Sequence, residues 1–83
     1  MIYKIYWFPQ IPCEPFELRM KTPSYAKTVL NALAQYDLFL LENNHRCDFS
    51  NAGGLLYYDK DSKEWLDWED HDGNDIFQTK EVI

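Results

Sequence analysis

Few residues in this chain combine the type and spacing that chemistry needs. The run Asp70, His71, Asp72, Gly73, Asn74 and Asp75 alternates hard oxygen donors, the ligand type of a calcium loop. An EF-hand loop places its glycine sixth and a glutamate twelfth, whereas Gly73 is fourth from Asp70 and the twelfth position is Glu81. The run therefore reads as a turn in which Asp and Gly serve backbone geometry. Cys13, His45, Cys47 and His71 are zinc-ligand types but lack the paired Cys-x-x-Cys or His-x-x-x-His spacing of structural sites. His45 and Cys47 lie two apart in a predicted loop, which is not a nucleophile and base geometry. Gly53 and Gly54 have neither the lysine nor the helix start of a phosphate loop. From these residues we expect no enzyme, no cofactor and no metal.

Acidic residues are the remaining concentration of chemistry. Between Asp59 and Asp75, eight carboxylates face two lysines, and this stretch carries the whole net charge of −6. On a strand, Trp65, Asp67 and Glu69 share one face while Leu66 and Trp68 share the other. Leu66 and Trp68 are expected to point to the core, leaving Trp65 beside two carboxylates on the solvent side. A tryptophan rimmed by acids suits a protein partner with a basic surface, because Trp anchors interfaces and acids steer cations. The candidate partner-binding residues are Asp59, Asp61, Glu64, Trp65, Asp67, Glu69, Asp70 and Asp72. The same stretch also reads as a solvated hairpin with Trp65 packed on a tyrosine, and a row of carboxylates could imitate the phosphates of DNA.

The elements that position these residues must come from one short chain. Eighty-three residues, 46% hydrophobic and 17% aromatic, predict a single folded domain over residues 1–83. The net charge of −6 opposes direct binding to nucleic acid or anionic membranes. The apolar start, Met1 to Phe8, is broken by Lys4, is followed by Pro9 and is far short of the ~20 residues of a membrane span. It also lacks the layout of a signal peptide. Cys13 and Cys47 are therefore expected to be free thiols in a reducing cytoplasm.

Met1 to Phe8 reads as a strand ended by Pro9, and the alternation Phe16-Glu17-Leu18-Arg19-Met20 as a second strand paired antiparallel with it. Thr22 and Pro23 are an N-cap and first-turn pair. The helix they open runs to about Asn43, with Ala26, Val29, Leu30, Leu33, Tyr36 and Leu40 on its core face. Arg46 to Gly54 reads as a loop, Leu55 to Tyr58 as a third strand, and Glu64 to Glu69 as a fourth after the turn Asp59–Lys63. Ile76 and Phe77 are candidates for a short fifth strand. The expected fold class is α+β, in ββαββ(β) order, with one helix on one face of an antiparallel sheet. Tyr25, Ala32 and Phe39 form a second apolar edge on the helix, either wrapped by neighbouring loops or used as a dimer surface.

The run Asn44-His45-Arg46-Cys47-Asp48-Phe49-Ser50-Asn51-Ala52-Gly53-Gly54-Leu55, followed by Trp65-Leu66-Asp67-Trp68, resembles the small superinfection-exclusion proteins of lambdoid temperate bacteriophages. The resemblance spans most of the chain from Tyr36 onward. It implies a non-enzymatic accessory protein that hinders other phages in an infected bacterium, with no catalytic residues to carry over. Because no hydrophobic span is present, its target would be a soluble protein. In size and acidity the chain is also similar to phage anti-defence inhibitors. The expected function is modulation of a larger host or competing-phage protein through the acidic hairpin, by a monomer or homodimer. The alternative is an assembly subunit that dimerises through its helix or sheet edge.

Overall fold

Residues 1–8, 14–43 and 52–81 are described by the computed structural model. Cys13, His45, Cys47 and the expected loop as far as Asn51 lie outside them. Strand β1 (Tyr3–Phe8) and strand β2 (Phe16–Met20) form the first antiparallel pair, with Ile5 opposite Leu18. Helix α1 (Pro23–Glu42) follows, then β3 (Ala52–Asp59) and β4 (Glu64–Asp67). The sheet order is β2-β1-β3-β4 and every neighbouring pair is antiparallel. This is the expected α+β arrangement of ββαββ order, without the fifth strand.

Helix α1 starts where its cap chemistry places it. The Thr22 hydroxyl accepts the Tyr25 N–H at 3.2 Å, and Pro23 occupies the first helical position. At the other end the Asn43 side chain donates to the Phe39 carbonyl at 2.8 Å. One face of the sheet meets the helix. Ile5, Trp7, Leu55, Ala26 and Leu30 are buried there together with Ile76, and Trp68, Leu33 and Val29 pack around them. Each fully buried Ile or Leu contributes about 1.5–3 kcal/mol, so this small cluster is the main source of stability.

Three local expectations are corrected. Tyr36 is 58% exposed and stacks on Phe39 at the surface, while the buried position on that turn belongs to Asp37, which accepts the Trp7 indole N–H at 2.8 Å. Ile76 and Phe77 form no strand, because the Asp75 carboxylate accepts the N–H groups of Phe77 and Gln78 and the Asp75 carbonyl accepts that of Thr79. A capped helical turn satisfies more backbone than two residues of strand could. Gly53 and Gly54 lie within β3 instead of a loop. Trp7 covers Gly53 and Tyr6 covers Gly54, so two aromatic rings occupy the space that side chains would otherwise fill.

Candidate protein-binding site

Strand β4 leaves β3 after Asp67, although β3 extends back to Ala52. The Trp68 N–H still bonds the Leu55 carbonyl at 2.9 Å, and the chain then turns away. The C-terminal turn folds across the opening. Ile76 is buried in the core, and the Lys27 ammonium donates to the Thr79 carbonyl at 2.8 Å, fastening the segment to α1. Between β3, the end of β4 and this turn lies a cleft of about 270 Å³, lined by Tyr6, Asp67, Trp68, Glu69, Asp75 and Phe77 among others.

Three carboxylates, one phenol and two aromatic rings thus converge on one concavity. Desolvation raises the Tyr6 hydroxyl pKa above its ordinary 10.0, and the negative charges of Asp67 and Asp75 add to the shift. Tyr6 therefore stays protonated at physiological pH and keeps a donor in the cleft. Such a site offers acceptors to a cation and apolar surface to the carbon chain that carries it.

The candidate carboxylates from the sequence separate into three groups. Asp67 and Glu69 are exposed and line the cleft. Asp61, Glu64 and Asp72 are exposed elsewhere. Asp59 and Asp70 are engaged in turns. The Asp59 carboxylate accepts the Asp61 N–H at 3.1 Å and the Ser62 hydroxyl at 3.0 Å, closing the β3–β4 turn. The Asp70 carboxylate accepts the Thr79 hydroxyl at 2.6 Å and the N–H groups of Asp72 and Asn74 at 2.8 and 2.9 Å. These bonds, led by Thr79, hold its pKa below the usual 3.8.

Trp65 lies on the sheet face away from the helix, as the alternation predicts, but its neighbours there are cations. Lys4 sits 4.4 Å and Arg19 5.0 Å from the ring centroid, and Tyr58 meets the ring edge-on at 5.3 Å. Each cation contributes about 0.5–1 kcal/mol at an exposed site. Lys4 also pairs with Glu17 at 3.1 Å. The ring is half-buried by neighbours four strands wide, a set that local spacing does not show.

Tyr6, Asp75 and Phe77 are the site residues that sequence reasoning missed. Tyr6 alternates with the core residues Ile5 and Trp7 and so had to face away from the helix. Asp75 belongs to the acidic stretch, but its position at the cleft depends on how the C-terminal turn folds back. Among the described residues, no three His, Cys, Asp or Glu side chains are grouped to hold a metal ion. No helix among them is long and apolar enough to cross a membrane.

A superinfection exclusion protein of Salmonella phage P22 is 29% identical over 79 residues, covering 82% of this chain and 77% of that protein. No solved structure matches the chain. The sequence model of the family described as Superinfection exclusion gene product 17 matches residues 3–83. With nearly its whole length matched, the chain belongs to the superinfection exclusion gene product 17 family.

Proposed function

We propose that this family member acts in superinfection exclusion by binding a protein, with the acidic cleft receiving a lysine or arginine side chain of its partner. The observation that carries this is the convergence of Asp67, Glu69 and Asp75 with the Tyr6 hydroxyl around a single cleft. A cationic head would meet carboxylates, and its methylene stem would lie against Trp68 and Phe77. The remaining acids of the hairpin add long-range attraction that speeds encounter with a basic surface. The partner is a host or competing-phage protein met in the cytoplasm of the infected cell, where Cys13 and Cys47 remain thiols.

The test is an exclusion assay in bacteria expressing the chain, scored as plating efficiency of a challenging phage. Asp67→Asn with Glu69→Gln should restore plating, while Asp61→Asn with Asp72→Asn, which removes the same charge outside the cleft, should leave exclusion largely in place. Both proteins should melt close to the parent, because all four carboxylates are exposed. Full exclusion by the cleft variant would remove the cleft from the mechanism. Equal loss in both variants would reduce the contribution to net charge alone.

A further inference from the structure

The outer edge of β2 fits a second copy of this chain. In the sheet order β2-β1-β3-β4, β2 has one neighbour, and its other side is an edge among the described residues. The Tyr58 N–H bonds the Ile2 carbonyl, and with the β1–β3 register this makes Lys4–Leu56 and Tyr6–Gly54 the hydrogen-bonded pairs. Ile5 then turns its backbone groups to β2, opposite Leu18. By alternation, the N–H and C=O groups of Glu17 and Arg19 point outward along the edge. Exposed edges of this kind are templates for pairing with another strand.

The residue order Phe16-Glu17-Leu18-Arg19-Met20 is complementary to itself when run antiparallel about Leu18. Glu17 then faces Arg19 of the other copy, Arg19 faces Glu17, and both are hydrogen-bonded pairs. Leu18 meets Leu18 on the axis. A two-fold axis at Glu17 would oppose two glutamates, and one at Arg19 would oppose two arginines. Shifting by half a step would put the second helix on the other side of the sheet.

Packing agrees with this register. Phe16 and Leu18 are 49% and 44% exposed, although their side chains lie on the helix side of the sheet. About Leu18, Phe16 of one copy sits beside Met20 of the other. There, Met20, Tyr25 and Val29 line an open groove of about 350 Å³ between β2 and α1, with Arg19 and Lys21 at its rim. Tyr25 is 63% exposed at this groove. We infer that the chain forms a two-fold dimer in which β2 pairs antiparallel with β2 about Leu18, and each Phe16 enters the Met20–Tyr25–Val29 groove of the other copy. The dimer carries two acidic clefts on one eight-stranded sheet.

Light scattering of the full chain should read twice 10.0 kDa at high micromolar concentration and fall toward 10.0 kDa on dilution. Leu18→Lys, at a half-exposed position, should read as monomer at every concentration while its circular dichroism and melting stay those of the parent. With Cys13→Ser and Cys47→Ser as background, Leu18→Cys should crosslink to itself on oxidation. The paired Cα atoms of a non-hydrogen-bonded pair lie ~4.5 Å apart, within disulfide reach. Glu17→Cys should not crosslink, because it faces Arg19. A monomer at high concentration, a dimer that survives Leu18→Lys, or crosslinking through Glu17→Cys in preference to Leu18→Cys would each overturn the assignment.

Discussion

Asp37 is the residue whose chemistry most constrains the interior. A 4% exposed carboxylate accepts the indole N–H of Trp7, itself 4% exposed, so each satisfies the other. Asp37→Ala should cost about 1–3 kcal/mol through the stranded indole donor, and Asp37→Asn, which keeps an oxygen acceptor, should recover most of that in thermal melts. The tryptophans of β4 and its extension make a second residue-scale contrast. Trp68 packs against the core cluster, and Trp68→Ala should cost about 3 kcal/mol. Trp65→Ala gives up its edge-on contact with Tyr58 and the cation contacts with Lys4 and Arg19, the latter worth about 1–2 kcal/mol together. In a domain of this length the gap corresponds to roughly 10 °C in melting temperature. A Trp65→Ala protein that melts at or below Trp68→Ala would show that Trp65 belongs to the core.

At the scale of elements, two contacts decide the shape around the cleft. Gly53 lets β1 and β3 approach under the Trp7 ring: a Cβ there would run into that ring and come within 2.7 Å of the Tyr6 carbonyl oxygen. Gly53→Ala should therefore cost about 1–3 kcal/mol. Gly54→Ala should cost less, because it meets the far end of the Tyr6 side chain, which can swing aside. The second contact is the Asp70 carboxylate, which ties the loop after β4 to Thr79. Its pKa is lowered in the folded chain, so its stabilisation is present above the ordinary carboxylate value of 3.8 and is lost as pH falls through the lower folded value. Acidification should release the Asp72 and Asn74 amides to hydrogen exchange before the β1–β3 amides. Asp70→Asn should exchange rapidly at neutral pH and show no such acid transition. If these amides stay protected in Asp70→Asn, the carboxylate does not hold the turn.

Across the whole molecule, charge is distributed by face and by edge. The acidic stretch from Asp59 to Asp75 lines the cleft with Asp67, Glu69 and Asp75, whereas β2 carries Glu17 and Arg19 in balance and Lys4 and Arg19 cover Trp65. Partner capture at the cleft should slow steeply as salt shortens the screening length from ~10 Å at 0.1 M to ~3 Å at 1 M. Pairing through β2, in which two Glu17–Arg19 pairs add to backbone bonds and apolar side chains, should change less over the same range. Stopped-flow association and light scattering at two salt concentrations separate the two surfaces. Equal sensitivity would mean that both contacts depend on the same charges.

Local physics made much of this legible from the residues alone. Alternation in Phe16–Met20, the Thr22-Pro23 cap and the three-and-four spacing from Ala26 set strand, helix start and helix face, because each depends on residues within one or two turns. The run from Asn44 to Leu55, with Trp65 to Trp68, likewise carried the resemblance to superinfection-exclusion proteins. Asp37 sits at the same spacing as Ala26, Leu30 and Leu33, but its charge marked it as surface, since its partner Trp7 is thirty residues away. The cleft was hidden for the same reason. Tyr6, Asp67 and Asp75 come from β1, β4 and the C-terminal turn, and what brings them together is the early departure of β4 from β3 and the burial of Ile76. Long-range packing chose those positions, and local spacing carries no record of it.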